Sequence, residues 1–247
     1  MLSSVADNNT QQPKSLPMTI LAIETSVATA SVVLWMDGAM VYHSDFTSDR
    51  NHNSMIFQPL AEALDTLGGR KLSQVLVGTG PGSYSGARTG IAAGQGVALT
   101  HGCPAVGIGS LAATSAARKA GGEKAAIAIG DARRGLYYIS EMTNSGEAGE
   151  PQLMEATEFQ ACLSEKCEAR ETVLFTLDDP SGPWLAEVQL PVQVEKAVPH
   201  ATGIMEVWHG LADERRMELM AQPLSPTYLR PPFTSKAKSG HPLLRSS

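Results

Sequence analysis

The chain has 247 residues, 43% of them hydrophobic and 18% charged, with a formal net charge of −6. This excludes a disordered or collagen-like chain, and the length gives one large domain or two small ones whose core needs no metal or disulfide staples. The acidic balance excludes autonomous, salt-driven binding to nucleic acid, which calls for a basic face. A local basic patch, or an RNA role exercised through a partner, stays open.

Residues 1–17 are polar and residues 231–247 are rich in Pro, Ser and Lys, so both ends read as disordered tails. Between them, Thr19–Glu24 is a short apolar run expected to be a buried strand. From Ala28 to Met36 the pattern alternates, with Ala30, Val32 and Leu34 facing one way and Ser31, Val33 and Trp35 the other, as in a strand with one face on a core. Asp37-Gly38 suits a tight hairpin, and Ala39–Phe46 is a third strand with Met40, Tyr42 and Phe46 on one side. A helix is expected over Asn53–Leu67, stopped by Gly68-Gly69, with Pro59 marking a kink or a late start. A strand Gln74–Thr79, a Gly-rich loop and second helix, a strand Ala105–Ile108 and a helix Leu111–Lys119 complete the first series.

The order β-β-β-α-β-α-β-α is that of the ribonuclease-H-like fold of the actin/Hsp70/sugar-kinase superfamily, an α/β class that normally duplicates the unit. The expected organisation is a first half-domain over 18–109 and a second, reduced half-domain over 110–230. In the latter, strands at Ala125–Ile129, Leu136–Met142 and Thr172–Leu177 accompany a weak helix at Glu155–Lys166. A closing helix, Ala201–Ala221, is placed to pack back on the first half.

Gly78–Gly96 is the most informative segment. Gly80, Gly82 and Ser83 stand at a strand-to-helix turn and form a candidate phosphate loop, although no Gly-Lys-Ser/Thr follows, so it is not a Walker loop. In the helix behind it Gly86, Gly90, Gly94 and Ala98 recur every four residues. Each interior glycine costs a helix about 1 kcal/mol against alanine, and close approach by another helix, of this chain or of a partner, is the expected compensation.

ILAIETSVATASVVLW (Ile20–Trp35), RNHNSMIFQPL (Arg50–Leu60), the glycine segment (Gly78–Leu99), DARRGLYY (Asp131–Tyr138) and PTYLR (Pro226–Arg230) together resemble the TsaB (YeaZ) family. The resemblance is dense in the first half and thin between Met142 and Met220. It implies a non-catalytic, cytoplasmic scaffold that dimerises with and activates a TsaD-like paralogue. With a TsaE-like ATPase, that pair attaches a threonylcarbamoyl group to the adenosine beside the anticodon of tRNA, which is contacted through the complex. It also implies a homodimer when the chain is alone, no intrinsic cofactor, and room for ATP or ADP at the joint of the complex. The first two helices would dock, which makes His52, Met55, Ile56, Gly86, Arg88, Gly90 and Gly94 the expected interface.

Catalytic alternatives find thin support. TsaD-like proteins hold iron through a His-x-x-x-His pair after the strand that matches Ala105–Ile108; here Ser110 and Thr114 stand in those places, and hydroxyls are poor ligands for such metals. His43, His52, His101, His200, His209 and His241 contain no i, i+3 or i, i+4 pair and no HExxH, so no metal site is expected from spacing and a metalloprotease-like hydrolase has no motif. A nucleotide-dependent kinase of small metabolites would need Glu24 near a magnesium ion, and the rest of its machinery is not visible. Ser83 and Ser85 are not in a G-x-S-x-G elbow. Cys103, Cys162 and Cys167 are too sparse for a disulfide framework and read as reduced thiols. No run reaches the ~20 apolar residues of a membrane span, and Met1–Pro17 lacks the apolar core of a secretion signal.

Overall fold

Two five-stranded sheets built to one plan organise the chain, as seen in a computed structural model that describes residues 18–47, 53–121, 124–186 and 188–230. In the first sheet β1 (Thr19–Glu24), β2 (Thr29–Met36) and β3 (Ala39–Thr47) run antiparallel, and β4 (Gln74–Gly78) and β5 (Ala105–Ile108) join parallel to β1 in the order β3-β2-β1-β4-β5. The second sheet has β6 (Ala125–Asp131), β7 (Leu136–Glu141), β8 (Gln152–Glu155), β9 (Thr172–Thr176) and β10 (Val194–Lys196). Read from β8 its order is β8-β7-β6-β9-β10, the same arrangement of two antiparallel neighbours on one side of the first strand and two parallel strands on the other. The duplicated ribonuclease-H-like fold is therefore present in both halves. Sequence reading missed β8, which buries only Met154, and the three-residue β10.

The hairpin turn is as expected, with Asp37 at φ 54° and Gly38 at φ 88°. Strand β2, expected to bury one face, buries both. Val32 and Leu34 lie under α1 (Phe57–Thr66) and α2 (Tyr84–His101), while Val33 lies under α4 (Ala201–Gly210). Strand β3 slips register between Tyr42, opposite Leu34, and Met40, opposite Trp35, so Met40 leaves the face shared by Tyr42 and Phe46 and is exposed.

The first helix starts late, as Pro59 suggests: a 3-10 turn covers Asn53–Ile56 before α1 begins. The helix expected over Leu111–Lys119 does not form; the segment is a run of turns ending in a 3-10 turn at Ala117–Lys119. Its backbone groups are diverted. The Ala113 carbonyl accepts from the His200 N–H (3.2 Å) instead of the Ala117 N–H, which donates to the Thr114 hydroxyl (3.1 Å). Thr114 Oγ1 in turn donates to the Leu111 carbonyl at 2.9 Å. The closing helix is two helices, α4 and α5 (Asp213–Ala221), separated at Leu211-Ala212.

Helix α4 packs Ile204, Met205 and Trp208 on the first sheet against Ile20, Ala22, Val33 and Leu76. It approaches closely enough that a Cβ on Gly203 would stand 2.0 Å from the Ala113 carbonyl oxygen. Helix α3 (Ala156–Ala169) covers the second sheet with Phe159 and Leu163. Among the described residues no helix is long and apolar enough to cross a membrane. The expected tails, 1–17 and 231–247, lie outside the described residues.

Candidate functional site

The glycine ridge of α2 faces the chain's own first sheet. A Cβ on Gly86 would lie 2.2 Å from the Thr25 carbonyl oxygen, one on Gly90 2.3 Å from Thr25 Oγ1, and one on Gly94 2.5 Å from Val77 Cγ2. Thr25 Oγ1 also donates to the Gly86 carbonyl at 2.8 Å, tying the end of β1 to the first turn of α2. The expected interface glycines Gly86, Gly90 and Gly94 are thus buried within the same chain, against Thr25 just past β1 and against Val77 of β4, and the approaching element is not a helix. Ile56 is also core, 1% exposed. His52 lies outside the described residues.

What remains exposed is the opposite side of the same two helices. Met55 is 44% exposed, Phe57 63% and Leu99 84%. Ala92 and Gly96 lie on the outer side of α2, and a Cβ on Gly96 would meet nothing within 4 Å. Ile56, Leu60 and Ala63 on one helix and Ile91, Val97 and Ala98 on the other anchor this layer over β1, β2 and β4. The outer side is mixed, with Met55, Phe57 and Leu99 standing among small residues and exposed polar ones such as Gln58, Glu62, Arg88 and Gln95. Large apolar side chains exposed within a polar surround are what a docking surface offers.

Three backbone donors of the candidate phosphate loop are taken up within the chain. The Gly80 N–H donates to Ser110 Oγ (2.9 Å), the Ser83 N–H to the Ser26 carbonyl (2.6 Å) and the Gly86 N–H to Ser83 Oγ (3.2 Å). Ser83 is the N-cap of α2. Gly82 is required at φ 157° because a Cβ would strike the Ser26 carbonyl oxygen at 2.2 Å. Gly80, Gly82 and Ser83 therefore shape and cap the turn.

Beyond the loop, a cleft of about 600 Å³ opens between the two sheets, with Ser26, Gly82 and Tyr84 on one wall and Asp131, Arg133 and Tyr138 on the other. The turn after β6 holds Arg133 at φ 67° and Arg134 at φ 57°, both in the left-handed region, and the Asp131 carboxylate fixes it by accepting from the Arg133 N–H at 2.6 Å. Arg88 reaches the cleft mouth. Its Nε donates to the Tyr228 hydroxyl (2.7 Å) and its guanidinium lies 3.8 Å from the Tyr84 ring centre, with Tyr84 and Tyr228 stacked. The late Pro226–Arg230 segment is thereby clasped to the start of α2, and Arg88 is a within-chain clasp.

Glu24 ends β1 with no solvent exposure. One carboxyl oxygen accepts from the Ser26 N–H at 2.6 Å; Oε2 has no partner among the described residues and fills the space a Cβ on Gly78 would need, 2.0 Å away. Burial raises its pKa above the ordinary carboxyl value, against the pull of Ser26 and Ser110. A carboxyl so enclosed is not presented to a nucleotide-bound magnesium ion. A raised folded-state pKa contributes stability below the ordinary carboxyl pKa and loses it as pH rises through the raised value. Melting temperatures of Glu24→Gln and the parent should accordingly diverge in favour of the variant as pH climbs from about 4. A gap constant from acid to neutral pH would contradict the protonation of Glu24. Ser110 and Thr114, at the places of the iron-binding imidazoles of TsaD-like proteins, are fully buried and hydrogen-bonded within the chain.

Comparisons with known proteins agree with this architecture. The tRNA threonylcarbamoyladenosine biosynthesis protein TsaB of Escherichia coli (strain K12) is 38% identical over 129 residues, covering 50% of this chain and 54% of that protein. TsaB of Haemophilus influenzae is 26% identical over 235 residues, covering 90% of this chain and 98% of that protein. The chain is similar to the TsaB proteins of these two bacteria. The family model for TsaD, tRNA N6-adenosine threonylcarbamoyltransferase, matches residues 46–167. The solved structure of YeaZ from Pseudomonas aeruginosa superposes with a TM-score of 0.63 at 22% identity, over 86% of this chain and all of that one, and shares the fold. The alignment with the Escherichia coli relative spans about half of its length.

Proposed function

We propose that this chain is a TsaB-type protein that acts in tRNA threonylcarbamoyladenosine biosynthesis as a non-catalytic subunit, binding and activating a TsaD-like threonylcarbamoyltransferase. The observation that carries the reading is the exposure of the large apolar side chains Met55 and Phe57 at the start of the first helix and of Leu99 on α2, with Gly96 open beside the last. Water on such a face is released when a second ribonuclease-H-like domain covers it, and apolar anchors at the centre of a patch supply most of an interface's energy. The interface so drawn keeps Met55 from the sequence expectation and replaces its glycines and Ile56 by Phe57 and Leu99. Helices α1 and α2 are also the natural seat for a second copy when the transferase is absent. A TsaE-like ATPase and the tRNA meet the assembly through the transferase, and ATP or ADP belongs at the joint of the complex. The acidic balance of the chain agrees with tRNA contact being indirect.

The test is reconstitution. Transferase, ATPase and tRNA are assayed for the modified adenosine with and without this chain; product should form only when it is present. Product formed at the same rate without it would overturn the reading.

A further inference from the structure

A second cluster of functional side chains lies on the far side of the first sheet from α1 and α2. His43 and Asp45 stand two apart on β3 and so share a face. His200 is the N-cap residue of α4, and the following Ala201 N–H donates to Ser31 Oγ at 2.9 Å, on the residue of β2 that pairs with Asp45. That bond seats the start of α4 over β3 and brings together residues 155 positions apart. His200 Nε2 lies 2.6 Å from Asp45 Oδ1, His43 Nε2 lies 3.1 Å from the same oxygen, and the two Nε2 atoms are 3.4 Å apart.

We propose that His43, Asp45 and His200 form a binding site for a borderline divalent metal ion of the Zn²⁺ class. Two imidazole nitrogens and a carboxylate oxygen are a ligand set such ions prefer. Bonds of about 2.0–2.1 Å in a tetrahedron place neighbouring ligand atoms about 3.3–3.4 Å apart, the separation already held by the two Nε2 atoms. The carboxylate oxygen lies 3.1 Å from one and 2.6 Å from the other, and needs to withdraw by about 0.2 Å and 0.7 Å respectively to become the third ligand.

The outer contacts suit the same role. His200 Nδ1 is 2.8 Å from Thr202 Oγ1. Nδ1 also accepts the Thr202 N–H at 3.1 Å as the cap of α4, so the metal-free ring is held with its proton on Nε2 toward Asp45. An ion at Nε2 takes the place of that proton, and the ring then donates from Nδ1–H to the Thr202 hydroxyl. Two of the three ligands are on a strand and the third is at a helix start, so the site is built on rigid elements. The side chains of His43 and Asp45 are 38% and 50% exposed and that of His200 26%, which opens an entry path and leaves the fourth position to water or to a ligand from outside. A bound ion would clip the edge strand of the first sheet to the closing helix.

The test uses the full chain without a histidine tag. Dialysis against Zn²⁺ should load one equivalent per chain and raise the melting temperature. Co²⁺ should give the visible absorption of a tetrahedral site without a thiolate charge-transfer band. His43→Ala, and His200→Asn, which keeps a capping side chain, should each weaken uptake by at least about tenfold, the scale on which even lost outer-shell partners act. Three results would overturn the proposal: no stoichiometric uptake at tens of micromolar metal, equal uptake by the parent and both variants, or a thiolate band that puts the ion on cysteine.

Discussion

Gly94→Leu is expected to cost the chain its folded first half and not merely a partner. A single Cβ at that position would already stand 2.5 Å from Val77 Cγ2 and 3.4 Å from Val75 Cγ1, in the middle of the layer between α2 and the first sheet. Leucine adds three further carbons where no space exists. Overpacking of a tight core costs about 1–3 kcal/mol and sometimes more, and for a chain of this size each 1 kcal/mol lowers Tm by about 2–4 °C. A drop of roughly 2–12 °C, or failure to accumulate folded protein, follows. Gly94→Ala should be milder, and adding Val77→Ala should recover part of its loss by removing the clashing methyl. A Gly94→Leu variant that melts like the parent yet fails to assemble would return the ridge to the surface.

Phe57→Asp and Leu99→Asp make the opposite pair. Both side chains are mostly exposed, so stability should change by about 0.5 kcal/mol or less. Placing a carboxylate at the centre of an apolar interface leaves it desolvated and unpaired, a loss of about 2–4 kcal/mol on the scale of interface hot spots and roughly 30- to 1,000-fold in affinity. Unaltered melting with lost association would locate the docking face on the outer side of these helices. Both variants associating like the parent would move it elsewhere on the chain.

The two series also show what the sequence could carry. The four-residue spacing of Gly86, Gly90 and Gly94 correctly announces a close approach, because helix propensity makes each glycine costly. It does not say what approaches, since a strand and a helix impose the same demand for a missing Cβ. The first sheet was legible because β1 and β4 are buried at every position and present continuous apolar runs. Strands β8 and β10 were not, because each is short, buries at most one residue and is held by its neighbour's hydrogen bonds. The turns over Leu111–Ala116 defeated the helical pattern through two long-range decisions: the Ala113 carbonyl is taken by His200, and Thr114 captures the Ala117 N–H. His43, Asp45 and His200 have no spacing that a linear pattern can detect, and only the seating of α4 on Ser31 unites them.

The central claim is that the outer face of α1 and α2 docks a TsaD-like subunit. Its most direct test is the mass, by light scattering across a sizing column, of this chain mixed with the TsaD-like chain of the same genome, using parent, Phe57→Asp and Leu99→Asp proteins. The account predicts a one-to-one complex for the parent and separate elution for both variants at tens of micromolar. A parent that elutes alone, or variants that co-elute as fully as the parent, would contradict it.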